Sequence, residues 1–144
     1  MIAIGCDHAG VELKKYIISE LSKKGFEFED MGTDGEPCDY PDMAEKVCRK
    51  VTEGVCERGI LICGTGIGMS MAANKIKGIR AALCADSFST KFTRLHNDAN
   101  VMCMGARTMG PGLAAELAEI FLTTGFEGGR HQRRIDLITA LENK

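Results

Sequence analysis

Apolar positions fall along this chain in two alternating rhythms: short unbroken runs, and longer stretches in which they recur every three or four residues. The first rhythm belongs to strands buried on both faces, the second to amphipathic helices. Ile2-Ala-Ile-Gly-Cys6 is the first run, and Asp7-His-Ala-Gly10 is the turn after it. Leu13, Ile17 and Leu21 then recur at helical spacing among lysines and glutamates, and Gly25 ends that helix. Phe26-Glu-Phe-Glu-Asp30 alternates apolar with acidic residues, which suits an edge strand. Beyond a loop from Gly32 to Asp39, Pro41 stands at a first helical position. Ala44, Val47, Cys48, Val51 and Val55 give this second helix its apolar stripe. The run from Ile60 to Cys63 is a buried strand, broken abruptly by Gly64, Gly66 and Gly68 and followed by a short helix to about Lys77.

The second half repeats the alternation. Arg80 to Cys84 reads as a fourth strand, Asp86 or Ser87 as the cap of a helix to about Asn97, and Asn100 to Gly105 as a fifth strand. Gly110 and Pro111 open a helix with Leu113, Leu117, Ile120 and Phe121 on one face. Gly125 to Gly129 breaks it, and a final helix holds Arg130, Arg134, Ile135, Ile138 and Leu141. Strands alternating with helices specify βαβ units and a parallel sheet. The expected fold is therefore α/β: a single Rossmann-like domain over residues 1–144, in three layers, with a five-stranded parallel sheet and helices on both faces. The final helix, set off by glycines, is a candidate arm packing on a partner subunit. Ligands of such sheets sit at the carboxyl ends of the strands. Asp7, His8, Cys63 to Gly68 and Arg107 all follow strands and should gather there.

Composition narrows the function classes. A formal charge of −2 argues against nucleic acid as a partner, while a phosphorylated small molecule needs only a local basic cluster. No apolar run reaches the ~20 residues of a membrane span, and the acidic start is unlike a secretory leader. Seven cysteines without a C-x-x-C pair exclude the usual zinc spacing and fit reduced thiols in the cytoplasm.

The chemistry centres on Cys63-Gly-Thr-Gly-Ile-Gly-Met-Ser70. Strand, glycine turn and helix start aim backbone N–H groups at an anion. The turn lacks the Gly-Lys-Ser/Thr of a phosphate-binding loop, and Met69 breaks both the dinucleotide fingerprint and the C-x5-R loop of cysteine phosphatases. A tight turn without a ligand is the bland alternative. At a helix N-terminus Cys63 is set to favour thiolate, although burial as packing is the common fate of a strand cysteine. Thr65 either bonds the turn or relays a proton. Asp7 and His8 face the ligand end, whereas His96 alone reads as a surface histidine near a helix end. Arg130 and Arg134 share one helix face, either as a solvated patch or as a phosphate grip.

Taken together, Gly5-Cys-Asp-His-Ala-Gly10, Asp39-Tyr-Pro-Asp42, Cys63 to Ser70, Ala72-Ala-Asn-Lys75, Gly78-Ile-Arg-Ala-Ala82, His96 to Asn100, Gly105-Ala-Arg107 and Phe126 to Arg134 resemble the type B ribose-5-phosphate isomerase family, which includes allose- and galactose-6-phosphate isomerases. The resemblance implies an aldose–ketose isomerase of the non-oxidative pentose phosphate branch. It would interconvert D-ribose 5-phosphate and D-ribulose 5-phosphate through a cis-enediolate, without metal or other cofactor. An allose-6-phosphate isomerase, or a galactose-6-phosphate isomerase subunit, is the alternative. Cys63 would be the base and Thr65 the relay. The amides of Gly64, Gly66, Ile67 and Gly68 would form the oxyanion hole. Asp7 and His96 would open the sugar ring with Asn97 nearby, while His8, Arg107, Arg130 and Arg134 would hold the phosphate and Tyr40 would line the site. The family's sites form between two subunits of a homodimer or a dimer of dimers, with the residues around His96 coming from the partner. One branch of the family carries a glutamate base at the position of Met69, so this chain falls in the cysteine branch.

Overall fold

In the computed structural model, which describes residues 1–144, the apolar runs line up as one parallel sheet. Its strands are β1 (Ile2–Cys6), β2 (Phe28–Asp30), β3 (Arg58–Cys63), β4 (Ala81–Leu83) and β5 (Val101–Gly105), in the spatial order β2-β1-β3-β5-β4. The helices are α1 (Val11–Ser22), α2 (Tyr40–Thr52), α3 (Ile67–Ala73), α4 (Ser87–Asn97), α5 (Pro111–Thr123) and α6 (Arg130–Leu141). The expected three-layer architecture is the one observed, with the acidic β2 at an edge.

Because side chains alternate along a strand, each central strand divides its apolar residues between two cores. Ile4, Cys6, Ile60, Ile62, Met102 and Met104 point into a core shared with Leu13, Ile17, Leu117 and Phe121 of α1 and α5. Ala3, Leu61, Cys63, Val101 and Cys103 point the other way, against Met43, Val47, Met69 and Ala73 of α2 and α3. Cys6 and Cys63 end neighbouring strands but face opposite layers. Only Cys63 lies on the side of the helix that follows the glycine turn.

Several boundaries shift from the sequence reading. The stripe of α2 consists of Met43, Ala44, Val47 and Cys48; Val55 lies past the helix end at Thr52 and is 53% exposed. The buried face of α5 is Ala114, Leu117, Ala118 and Phe121, leaving Leu113 exposed. Helix α3 stops at Ala73 because Asn74 turns its side chain to the next strand. Its Oδ1 accepts from Ala81 N at 2.8 Å and its Nδ2 donates to Ala81 O at 2.9 Å. Within the chain, α6 rests on its own α4 through Ile135 and is tied at its end by Gly78 N–H donating to Glu142 Oε1 at 2.9 Å. Its other side, with Leu137, Ile138 and Leu141, is exposed.

Candidate active site

The chain leaves β1 toward β2 on one side and leaves β3 toward β4 on the other, which opens a crevice at the carboxyl ends of β1 and β3. Asp7 stands there. Its N–H donates to Ile62 O at 3.1 Å, extending the β1–β3 ladder by one bond. Its Oδ1 accepts from Ala9 N at 2.9 Å, which caps the short turn His8–Gly10 and fixes the carboxylate. His8 is exposed beside it.

The glycine turn joins β3 to α3. Gly66 adopts φ +81°, and a Cβ there would come within 2.8 Å of the Met104 backbone, so this position requires glycine on both counts. That left-handed residue swings the Gly66 N–H back onto Cys63 Sγ at 3.1 Å. Ile67 N–H turns to Thr65 Oγ1 at 3.2 Å. The N–H groups of Gly64 and Gly68 have no acceptor within the chain. The four amides expected to act alike therefore divide: Gly66 serves the sulfur and Ile67 the threonine, and Gly64 and Gly68 remain free for an oxyanion. Gly68 lies under the Tyr40 ring so closely that a Cβ would stand 2.5 Å from it. Arg107 is anchored by its N–H donating to Gly64 O at 3.0 Å, and its guanidinium lies over Gly64. Asp7, His8, Tyr40, Cys63 to Gly68 and Arg107 thus form one cluster.

The remaining expected residues do not join it. Helix α4 starts at the carboxyl end of β4, capped by Ser89 N–H donating to Asp86 Oδ1 at 2.6 Å, and descends to the amino end of β5. Its last turn therefore puts His96 and Asn97 at the opposite end of the sheet, where Asn97 O accepts from Arg80 Nε at 2.9 Å. Arg130 and Arg134 are there too. Glu127 N–H donates to Leu95 O at 3.0 Å, and His131 stacks on His96 with ring centroids 4.0 Å apart. The length of β5, roughly 15 Å, separates this second cluster from the first.

Residues 2–138 match the Ribose/Galactose Isomerase family. The chain belongs to that family. It is 54% identical over 145 residues to the putative sugar phosphate isomerase YwlF of Bacillus subtilis, covering 99% of this chain and 97% of the relative. Its fold superposes on Clostridium thermocellum ribose-5-phosphate isomerase B with a TM-score of 0.96 at 48% identity, covering 99% and 97% of the two chains. A Mycoplasma genitalium ribose-5-phosphate isomerase B with bound ribulose-5-phosphate is similar at TM-score 0.94 and 43% identity, covering 99% and 96%.

Within this isomerase fold the other buried thiols, Cys6, Cys48, Cys56, Cys84 and Cys103, are packing. Burial pushes Cys6 and Cys84 up to about 11, Cys48 up to about 12, and Cys103 well above the ordinary thiol value. All seven cysteines are unpaired. The sequence reading gave no role to Glu127 or His131, although their i, i+4 spacing was available as a signal. Glu127 Oε2 lies 3.5 Å from His131 Nε2 and 3.9 Å from His96 Nε2.

Proposed function

We propose that this isomerase interconverts D-ribose 5-phosphate and D-ribulose 5-phosphate through a cis-enediolate. It would work in the cytoplasm as a homodimer or dimer of dimers whose sites are shared between subunits. The observation that carries the reading is the Cys63 sulfur held by the Gly66 N–H at 3.1 Å, beside the free amides of Gly64 and Gly68. A base and an oxyanion hole adjoin on one turn.

The reaction follows from that arrangement. Asp7, with His96 from a second copy, opens the furanose to the aldehyde. Cys63 as thiolate takes the proton from C2, and the electron pair moves through the C1–C2 bond onto the C1 oxygen. Gly64 and Gly68 donate to the enediolate where its charge develops; one such donor is typically worth roughly 10²–10³ in rate. Thr65 passes a proton between the two oxygens, and Cys63 returns its proton to C1. The proton count balances without a redox or metal partner. His8 and Arg107, with Arg130 and Arg134 of the second copy, hold the dianionic phosphate, and this remote binding energy fixes the reacting carbons. Tyr40 lines the sugar site over Gly68, and Asn97 comes in beside His96.

The topology supports a site built from two copies. The two clusters in one chain face opposite ends of the sheet, and a second molecule can bring its α4–α6 corner to the first molecule's cradle. Aldose phosphates of five and six carbons assayed for kcat/KM should show ribose 5-phosphate preferred, with solvent deuterium entering C1 of the product. A folded Cys63→Ala protein should lose roughly 10²–10⁴ in kcat. Full activity in that variant would remove Cys63 as the base, and no turnover of ribose 5-phosphate by the wild type would remove the substrate.

A further inference from the structure

Glu127 lies in the loop between α5 and α6, outside every role described so far. Its backbone N–H donates to Leu95 O at 3.0 Å, which pins it to the last turn of α4, next to His96. Its carboxylate faces two imidazoles at once, 3.5 Å from His131 Nε2 and 3.9 Å from His96 Nε2. The rings are stacked with planes 14° apart, and Phe92 closes edge-on against His96 at 5.0 Å. The side chain of His131 is only 12% exposed in this arrangement.

We propose that Glu127 is a positioning residue of the isomerase, whose carboxylate holds the His96 imidazole, stacked on His131, in the orientation that opens the sugar ring. The proposal rests on the reading of His96 as a ring-opening group. A histidine on a helix's last turn has two side-chain rotations and a choice of tautomer. Stacking on His131 and the Phe92 edge restrict the rotations. The carboxylate favours the tautomer with its N–H at Nε2 and leaves Nδ1 as the free nitrogen. The charged groups facing the pair are Glu127, Arg130 and Arg134. Burial, then the charges of His96 and Arg130, hold His131 below its ordinary value, with Glu127 opposing them.

The choice of substrate separates ring opening from proton transfer. Ribose 5-phosphate rests as a closed furanose, and its ring must open before C2 can lose a proton. The two directions of the isomerisation are tied by its equilibrium constant, so a loss of kcat/KM on ribose 5-phosphate recurs on ribulose 5-phosphate. 4-Deoxyribose 5-phosphate lacks the C4 hydroxyl, cannot form the furanose, and enters the site open. Glu127→Gln should therefore lower kcat/KM for ribose 5-phosphate by about ten- to a hundredfold and leave kcat/KM for the 4-deoxy substrate within about twofold. Glu127→Asp, which keeps the charge, should recover part of the loss. Equal losses on the two aldoses, or none, would overturn the proposal. If His96→Ala shows the loss on ribose 5-phosphate alone and Glu127→Gln does not, only the role of Glu127 fails; if His96→Ala shows no such difference, the ring-opening reading fails first. Should Glu127→Gln not fold, histidine ¹⁵N shifts in Glu127→Asp decide: a retained Nε2–H tautomer at His96 supports the proposal, and a tautomer mixture matching free imidazole contradicts it.

Discussion

Cys63 differs from the other core thiols less in burial than in what points at it. It is 5% exposed, close to its neighbours, yet a backbone N–H is aimed at its sulfur. That distinction was legible in the sequence, because only Cys63 runs straight into alternating glycines. The division of labour among the amides was not, since it depends on the left-handed turn at Gly66 sending one N–H backward. The remaining thiols have their own pH signature. Burial raises Cys6, Cys48 and Cys84 from the ordinary 9.0 to about 11, 12 and 11, so these groups stay protonated in the fold while they ionise in the unfolded chain. A group raised on folding stabilises below its unfolded value and loses that contribution as pH rises. The urea midpoint should hold below pH 9 and fall between pH 9 and about 12, and Cys48→Ala should flatten that fall. A midpoint rising over the same range would contradict the assignment.

At the scale of elements, β3, its glycine turn and α3 were readable from composition alone, because a buried strand cannot continue through three glycines. What periodicity misjudged were helix margins. Val55 was placed on the α2 stripe and Leu113 on that of α5, yet both are exposed, because spacing identifies a face without saying where its cover ends. The contact between elements was also beyond sequence: Tyr40, first residue of α2, lays its ring over Gly68 of α3, 28 positions later in the chain. In Gly68→Ala the new Cβ would stand 2.5 Å from that ring, so Tyr40 must turn away or α3 must shift its free amide. The variant should keep its far-ultraviolet circular dichroism and lose roughly ten- to a hundredfold in kcat/KM. An unchanged kcat/KM would separate both Tyr40 and the Gly68 amide from the site. The buried Lys14 works at the same scale. Its Nζ donates to Asp30 Oδ1 at 2.7 Å and Thr33 O at 2.8 Å, holding the loop that leads toward Tyr40. Nothing in its helical spacing announced that role.

At the scale of the molecule, parallel topology sorts the candidate site residues into two groups. Everything following β1, β3 and β5 lies at one end, together with Tyr40 opening α2. Everything at the bottom of α4 and the start of α6 lies at the other. Reading the motifs in order names the candidates but not this division; the resemblance implied that the residues around His96 come from a partner, and the physical cause within one chain is α4 running antiparallel to the strands. A site completed between two copies makes a prediction that a self-contained one does not. Cys63→Ala and His96→Ala chains, each inactive on ribose 5-phosphate alone, are unfolded together and refolded as a mixture. Each mixed dimer then contains one site with both residues intact, and mixed dimers are half of a random population. Activity should return to about a quarter of wild type. If the mixture stays as inactive as its parents while mixed dimers are demonstrably present, Cys63 and His96 act within one chain, and the shared site is wrong.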